Sequence, residues 1–232
     1  MSLNIREMTA DEILNLPKLG LDDSFEFTCK ACGKCCKQRH DILLTPYDMF
    51  SIAKYLGRTP DEIFIRYCEV YKGSNSHFPV VRVVPTPPNN TCPFLRDRRC
   101  SVHAKKPVVC RVYPLGRISI PDQGVQYFFA GSGCNHEPTS IKVRDWLADA
   151  ASKECEEAGH LWADITSTIL PLMQPGTFPH PGETQSLVLT TIFKLLWLNY
   201  DMEDPFAPQL QQNFETIKDT FEKTGMKISQ EE

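Results

Sequence analysis

Four cysteines fall within eight residues, Cys29-Lys-Ala-Cys32-Gly-Lys-Cys35-Cys36, and four more follow at Cys92, Cys100, Cys110 and Cys134. No other feature of the 232-residue chain restricts its fold as strongly. A C-x2-C turn folds back on itself, so two thiolates reach one metal ion while backbone amides of the turn point at the sulfurs, and Gly33 permits the positive φ that such a turn requires. Repeating the spacing to Cys35 gives C-x2-C-x2-C, the run by which ferredoxins hold three corners of a [4Fe–4S] cluster, and a Cys-Pro dipeptide such as Cys92-Pro93 is how those runs end. Cys36, the immediate neighbour of Cys35, is expected to point elsewhere and to serve a second site. Unligated thiols packed so densely among lysines would oxidise.

The alternative for an even cysteine count is a disulfide framework, which belongs to small secreted chains. This chain is large enough to build a core without staples, with 41% hydrophobic and 23% charged residues. Its N-terminus, MSLNIREMTADEI, has neither the basic start nor the apolar run of a secretory leader. The longest strongly apolar stretch, Leu187 to Leu198, is interrupted by Thr190, Thr191 and Lys194 and falls short of the roughly 20 residues that span a bilayer. The expectation is a cytoplasmic metal-binding protein without a membrane span. A net charge of −4 argues against nucleic acid as a partner.

Prolines shape the middle of the chain. Eight lie between residues 78 and 121 (Pro79, Pro85, Pro87, Pro88, Pro93, Pro107, Pro114 and Pro121), a density that forbids long regular elements. Only a strand near Val80–Val84, a short helix after Pro107, and a hairpin of residues 117–120 and 125–130 are expected there. Before it, residues 9–16 suit a short amphipathic helix and 25–28 a short strand. Thr45-Pro46-Tyr47-Asp48 and Thr59-Pro60-Asp61-Glu62 each place a hydroxyl cap, a proline and a carboxylate at a helix start, predicting helices over about 46–56 and 60–71. From Ser140 onward the chain reads as helical: 140–158 stopped by Gly159, then 184–200, apolar nearly all round, then a last helix with the stripe Phe206, Leu210, Phe214, Ile217 and Phe221. The stripe suits packing within the fold; a partner or dimer contact through the C-terminal helices is the second reading. The whole is α+β: residues 1–24 as helix and linker, 25–138 as an irregular, strand-poor cysteine-cluster domain, and 139–232 as a helical segment packed on it.

CKACGKCC, followed by CPFL, a further Cys, KP, CRVYP and a later GC, closely resembles the CxxCxxCC cysteine-cluster family, also called the YkgJ family, over about residues 25–136. The resemblance implies chelation of zinc or iron and makes Cys29, Cys32, Cys35, Cys36, Cys92, Cys100, Cys110 and Cys134 the eight family cysteines. His103 and Lys106-Pro107 stand where the family usually shows an aromatic residue and Arg-Pro. The flagellin lysine N-methylases resemble this chain more distantly, through the same cysteine core within a longer chain.

Four thiolates around one Zn²⁺, or around a [4Fe–4S]²⁺ cluster, leave a net charge of about −2 that needs compensation. Lys30, Lys34, Lys37 and Arg39 flank the first cysteine group. Arg96, Arg98, Arg99, Lys105, Lys106, Arg111 and Arg117 flank the second, opposed between residues 96 and 117 only by Asp97. These cations read as countercharge, with an anionic substrate or a phosphate as the sharper alternative. His40, His103 and His136 lie near the cysteine groups and suit a supporting place around the thiolates. Cys68 and Cys155 fall on predicted helices and suit a core.

No G-x-S-x-G elbow, P-loop or H-E-x-x-H motif is present, and Gly131-Ser132-Gly133 is too short for a dinucleotide or adenosylmethionine loop. Three functions therefore stand open: a zinc- or iron-binding module that organises a loop-rich fold, an iron–sulfur redox protein, and a protein-modifying enzyme such as a lysine N-methyltransferase. Spacing alone does not choose zinc or iron. Nor does it say whether eight thiols build two four-thiolate sites or one.

Overall fold

A computed structural model describes residues 10–120, 124–132, 137–148, 152–174, 176–177 and 182–223. In chain order its helices and strands are α1 (Ala10–Leu14), β1 (Ser24–Glu26), α2 (Pro46–Leu56), α3 (Pro60–Tyr67), β2 (Cys68–Lys72), β3 (Pro79–Val83), β4 (Leu95–Arg96), β5 (Arg99–Cys100), α4 (Val108–Val112), β6 (Leu115–Ile120), β7 (Gly124–Phe129), β8 (Ser140–Lys142), α5 (Val143–Ala148), α6 (Lys153–Ile169), α7 (Glu183–Phe193) and α8 (Phe206–Lys223). The class is α+β, and the described strands form four two-stranded antiparallel pairs. Backbone contacts divide the chain into two compact units, residues 1–42 with 85–152, and residues 43–84 with 153–232. Each is discontinuous, where the sequence suggested a linear succession. No described helix is long and apolar enough to cross a membrane.

The first unit carries the cysteine groups. Its core is a small aromatic plate. β1 pairs with β8, setting Phe25 opposite Ile141, and β6 pairs with β7 in the expected hairpin. Phe25, Phe27, Leu115 and Val143 are buried together, with Tyr113, Phe129 and Trp146 packed against them. Phe27 meets Trp146 edge-on at 5.3 Å between ring centroids and Tyr113 at 6.1 Å, both favourable geometries for aromatic pairs. The Trp146 indole N–H donates to the Val112 carbonyl at 3.1 Å, tying α5 to α4. The helix expected over 140–158 is not formed. Ser140–Lys142 extends as β8 because burying Ile141 beside Phe25 requires a strand there, and the helical run resumes as α5 and α6. Gly159 does not stop a helix either, because α6 runs through it to bury Ala158, Ile165 and Ile169.

The second unit is mainly helical. Both predicted caps form: the Thr45 and Thr59 hydroxyls accept from the backbone N–H groups of Asp48 and Glu62, and those carboxylates accept from the threonine N–H groups. α3 ends at Tyr67, and Cys68–Lys72 becomes β2, paired with β3 from Cys68↔Val83 to Lys72↔Pro79. α7 continues as one π-helical turn over Lys194–Leu198 and buries Val188, Ile192, Leu196 and Trp197, while Leu187 stays exposed. The stripe of α8 packs within this unit through Phe206, Leu210, Ile217 and Phe221, with Asn213 buried in place of Phe214. Asn213 is satisfied there: it accepts from the Asn199 side chain at 2.7 Å and donates to the Asn199 carbonyl at 2.8 Å.

Candidate metal centre

The first cysteine group is a tight turn in which Ala31 and Gly33 both hold positive φ, +50° and +71°. Gly33 starts a single 3₁₀ turn, Lys34–Cys36, closed by hydrogen bonds from Cys36 N to Gly33 O (3.2 Å) and from Lys37 N to Lys34 O (3.1 Å). The chain then runs antiparallel to residues 90–92: Cys92 N donates to Cys36 O at 2.8 Å, Lys37 bridges to Thr91, and Arg39 N donates to Asn90 O at 3.3 Å. Backbone pairing thus brings together two cysteine groups that lie more than fifty residues apart in the chain.

The second group is carried by a hairpin and a helix. β4 and β5 pair Leu95 with Cys100 and Arg96 with Arg99 across Asp97-Arg98, both at positive φ (+47° and +65°), the signature of a type I′ turn. The reversal turns Cys100 back toward Cys92. Pro107 then caps α4, which presents Cys110.

Seven cysteines, Cys29, Cys32, Cys35, Cys36, Cys92, Cys100 and Cys110, line one cavity of about 390 Å³. Phe27, Phe94, Tyr113 and Trp146 supply an aromatic wall, and Arg39, Arg98, Arg99, Lys106 and His103 the polar one. Cys134 and His136 fall outside the described residues. Cys68 and Cys155 lie in the second unit, and His40 is exposed and does not line the cavity. Cys36 does not point away from Cys35. Both sulfurs face the same cavity 4.0 Å apart, because the 3₁₀ turn tightens the backbone between them. Among the described residues no three His, Cys, Asp or Glu side chains are drawn to metal-ligand spacing.

The thiols are unequal. Cys35 is held down at about 6, chiefly by the hydrogen bond from the Cys36 thiol, with burial opposing and the charges of Arg39 and Lys106 assisting. Cys36 is pushed up for the reciprocal reason. Burial pushes Cys110 up to about 12 and also raises Cys92 and Cys100. Burial lowers the His103 imidazole, helped by the charge of Lys106. Cys35 thus favours its thiolate, while Cys36, Cys92, Cys100 and Cys110 disfavour theirs until a cation compensates them. Thiolate sulfur is the donor that suits zinc and iron–sulfur clusters, so the donor set fits either group.

Sequence reasoning located the cysteines but passed over two parts of the site. The aromatic wall draws on Trp146, far along the chain and without a local signal. In the sequence Arg39 is one of several cations flanking the first cysteine group, yet its side chain is buried.

A family model described as CxxCxxCC, "Putative zinc- or iron-chelating domain", matches residues 28–145. No curated protein and no solved structure matches the chain.

Proposed function

The chain belongs to the CxxCxxCC family, and from that premise we propose that Cys29, Cys32, Cys35, Cys36, Cys92, Cys100, Cys110 and Cys134 are the ligands of a zinc or iron centre that organises the loop-rich first unit. The observation that carries the reading is the convergence of seven of these thiols, from two loops, strand β5 and helix α4, on one cavity. Bound metal would supply cross-links among segments distant in sequence and short of regular secondary structure, so folding of this unit is linked to metal. The residues contribute in different ways. Gly33 sets the turn that places Cys32 and Cys35. The Asp97-Arg98 turn returns Cys100 toward Cys92. The aromatic wall keeps water from one side of the sulfurs.

A second reading, a [4Fe–4S] centre with an electron-transfer role, is favoured by the C-x2-C-x2-C spacing and by Cys92-Pro93. Both readings are tested on protein purified anaerobically without added metal, by elemental analysis and a visible spectrum of the same sample. Zinc at one or two ions per chain in a colourless sample supports the organising centre. Iron with matching sulfide and broad absorption supports the cluster. Cys32→Ala and Cys110→Ala are each expected to lower the metal content and the melting temperature. Metal-free wild-type protein with all its thiols titratable would sink both readings.

A further inference from the structure

Among the described residues Arg39 is the only buried cation, with 5% of its side chain exposed, and it stands on the wall of the thiol cavity. It is held from several directions. One terminal nitrogen donates to Cys35 O at 3.0 Å, Nε donates to Asp41, the backbone N–H donates to Asn90 O, and the guanidinium lies 6.0 Å from the centre of the Tyr113 ring. The other cations of the wall are placed differently. Arg98 and Arg99 are exposed and Lys106 half-buried, so water screens them. A buried guanidinium is costly unless opposite charge is fixed beside it. Asp41 supplies one such charge, but its side chain is 49% exposed and correspondingly screened.

We propose that Arg39 is the fixed countercharge of the metal-loaded thiolate set: a positioning residue whose buried guanidinium offsets the negative charge that four thiolates carry beyond that of the metal. The proposal rests on the chelating reading above. Its support is that the buried guanidinium lines the same cavity as Cys35, Cys92 and Cys110, thiols of both cysteine groups, and donates to the backbone carbonyl of Cys35 itself. A residue that merely clipped residues 35–41 together would have no reason to be buried on the sulfur side.

The Arg39–Asp41 pair separates the two roles, because its members have opposite expected effects. Arg39→Gln removes the countercharge. Asp41→Asn keeps an oxygen that can accept from Nε but removes the competing negative charge, leaving the guanidinium to the thiolates. The full-length chain, stripped of metal under reducing anaerobic conditions, is titrated with Zn²⁺ and separately with Fe²⁺ against a chromophoric chelator. Arg39→Gln is expected to weaken binding about 10–100-fold, the range for residues that support metal ligands, and Arg39→Lys to recover most of that loss. Asp41→Asn is expected to bind as tightly as wild type or up to about tenfold tighter, while its metal-free form melts at a lower temperature because a buried charge has lost its partner. Arg39→Gln binding within twofold of wild type, or Arg39→Gln and Asp41→Asn weakened alike, would overturn the proposal. Should metal-free Arg39→Gln lack native circular dichroism, Asp41→Asn decides alone, and weaker binding rejects it. Wild-type protein that takes up neither metal fails the chelating reading itself. Metal loss in Cys110→Ala with undiminished binding in Arg39→Gln leaves that reading standing and removes only the role of Arg39.

Discussion

Replacing Gly33 with alanine tests how the first cysteine turn is positioned, and the structure supplies a control. At φ +71° an L-residue pays about 1–2 kcal/mol for the left-handed conformation. The restricted unfolded chain returns about 0.4–1 kcal/mol of that, leaving a net loss near 1 kcal/mol from the backbone alone. At Gly33 a Cβ would also stand 3.1 Å from the Arg98 carbonyl oxygen and 3.2 Å from Leu95 Cδ1, inside the 3.5–4.0 Å of ordinary contact. Leu95 can rotate. The Arg98 carbonyl belongs to the β4–β5 turn, so the hairpin bearing Cys100 has to retreat by a few tenths of an ångström, comparable with the roughly 0.2 Å tolerance of a metal–ligand bond. Gly57 has a similar φ of +61° with nothing within 4 Å of its Cβ position, and lies in the other unit. Gly57→Ala is therefore expected to lose about 1 kcal/mol in urea denaturation and to leave zinc affinity unchanged. Gly33→Ala should lose about 1–2 kcal/mol in the metal-free state and weaken zinc binding about tenfold or more. Equal stability losses with wild-type zinc affinity in both variants would refute the argument that the hairpin and the cysteine turn are held in register by this contact.

Two further outcomes are expected. The Cys68 thiol is pushed by burial from its ordinary value of 9.0 up to about 12. Because the folded value lies above the unfolded one, its stabilising contribution is whole below pH 9 and is lost progressively between pH 9 and 12. Metal-free wild type should therefore show a steeper fall in stability from about pH 8.5 to about pH 10.5 than Cys68→Ala, by urea denaturation at each pH, and parallel curves would contradict the burial argument. Gly116 stands opposite Phe128 on β6 and β7, and a Cβ there would meet the ring at 2.1 Å. Gly116→Ala should cost about 1–3 kcal/mol by overpacking, and a melting curve like that of wild type would show that the ring moves aside freely.

Much of this was legible where the determinants are local. The starts of α2 and α3 follow from Thr-Pro followed by a carboxylate, and both capping boxes form as the residues require. The β6–β7 hairpin and the α8 stripe follow from alternation and from three-and-four spacing. The misreadings share a physical origin in partners distant along the chain. Ile141 lies in a stretch of helical pattern, and only Phe25, more than a hundred residues away, makes it a strand. The β4–β5 hairpin escaped notice because its turn is Asp97-Arg98 and lacks the Asn-Gly or Asp-Gly that signals type I′ geometry. At the site, cysteine spacing pointed to the residues that line the cavity. It could not reveal that Cys35 and Cys36 share one cavity, nor that Arg39 is buried while Lys37, two residues earlier, is exposed.

The interleaving of the two units has a consequence for synthesis on the ribosome. Residues 43–84 emerge between the two halves of the first unit, yet the helices that complete their own unit begin only at Lys153. Met49, Ile52 and Ile63, fully covered in the finished protein, are made long before α6, α7 and α8. At roughly 5–20 residues per second the nascent chain carries this apolar segment without its completing helices for several seconds or longer. The first cysteine group is already translated by then, and Cys92, Cys100 and Cys110 follow during the same interval. Metal captured early, while that segment is still waiting for its partners, would close the first unit around an unfinished loop. On the chelating reading, the order in which metal and the last helices arrive would then be a kinetic branch point in the making of this protein.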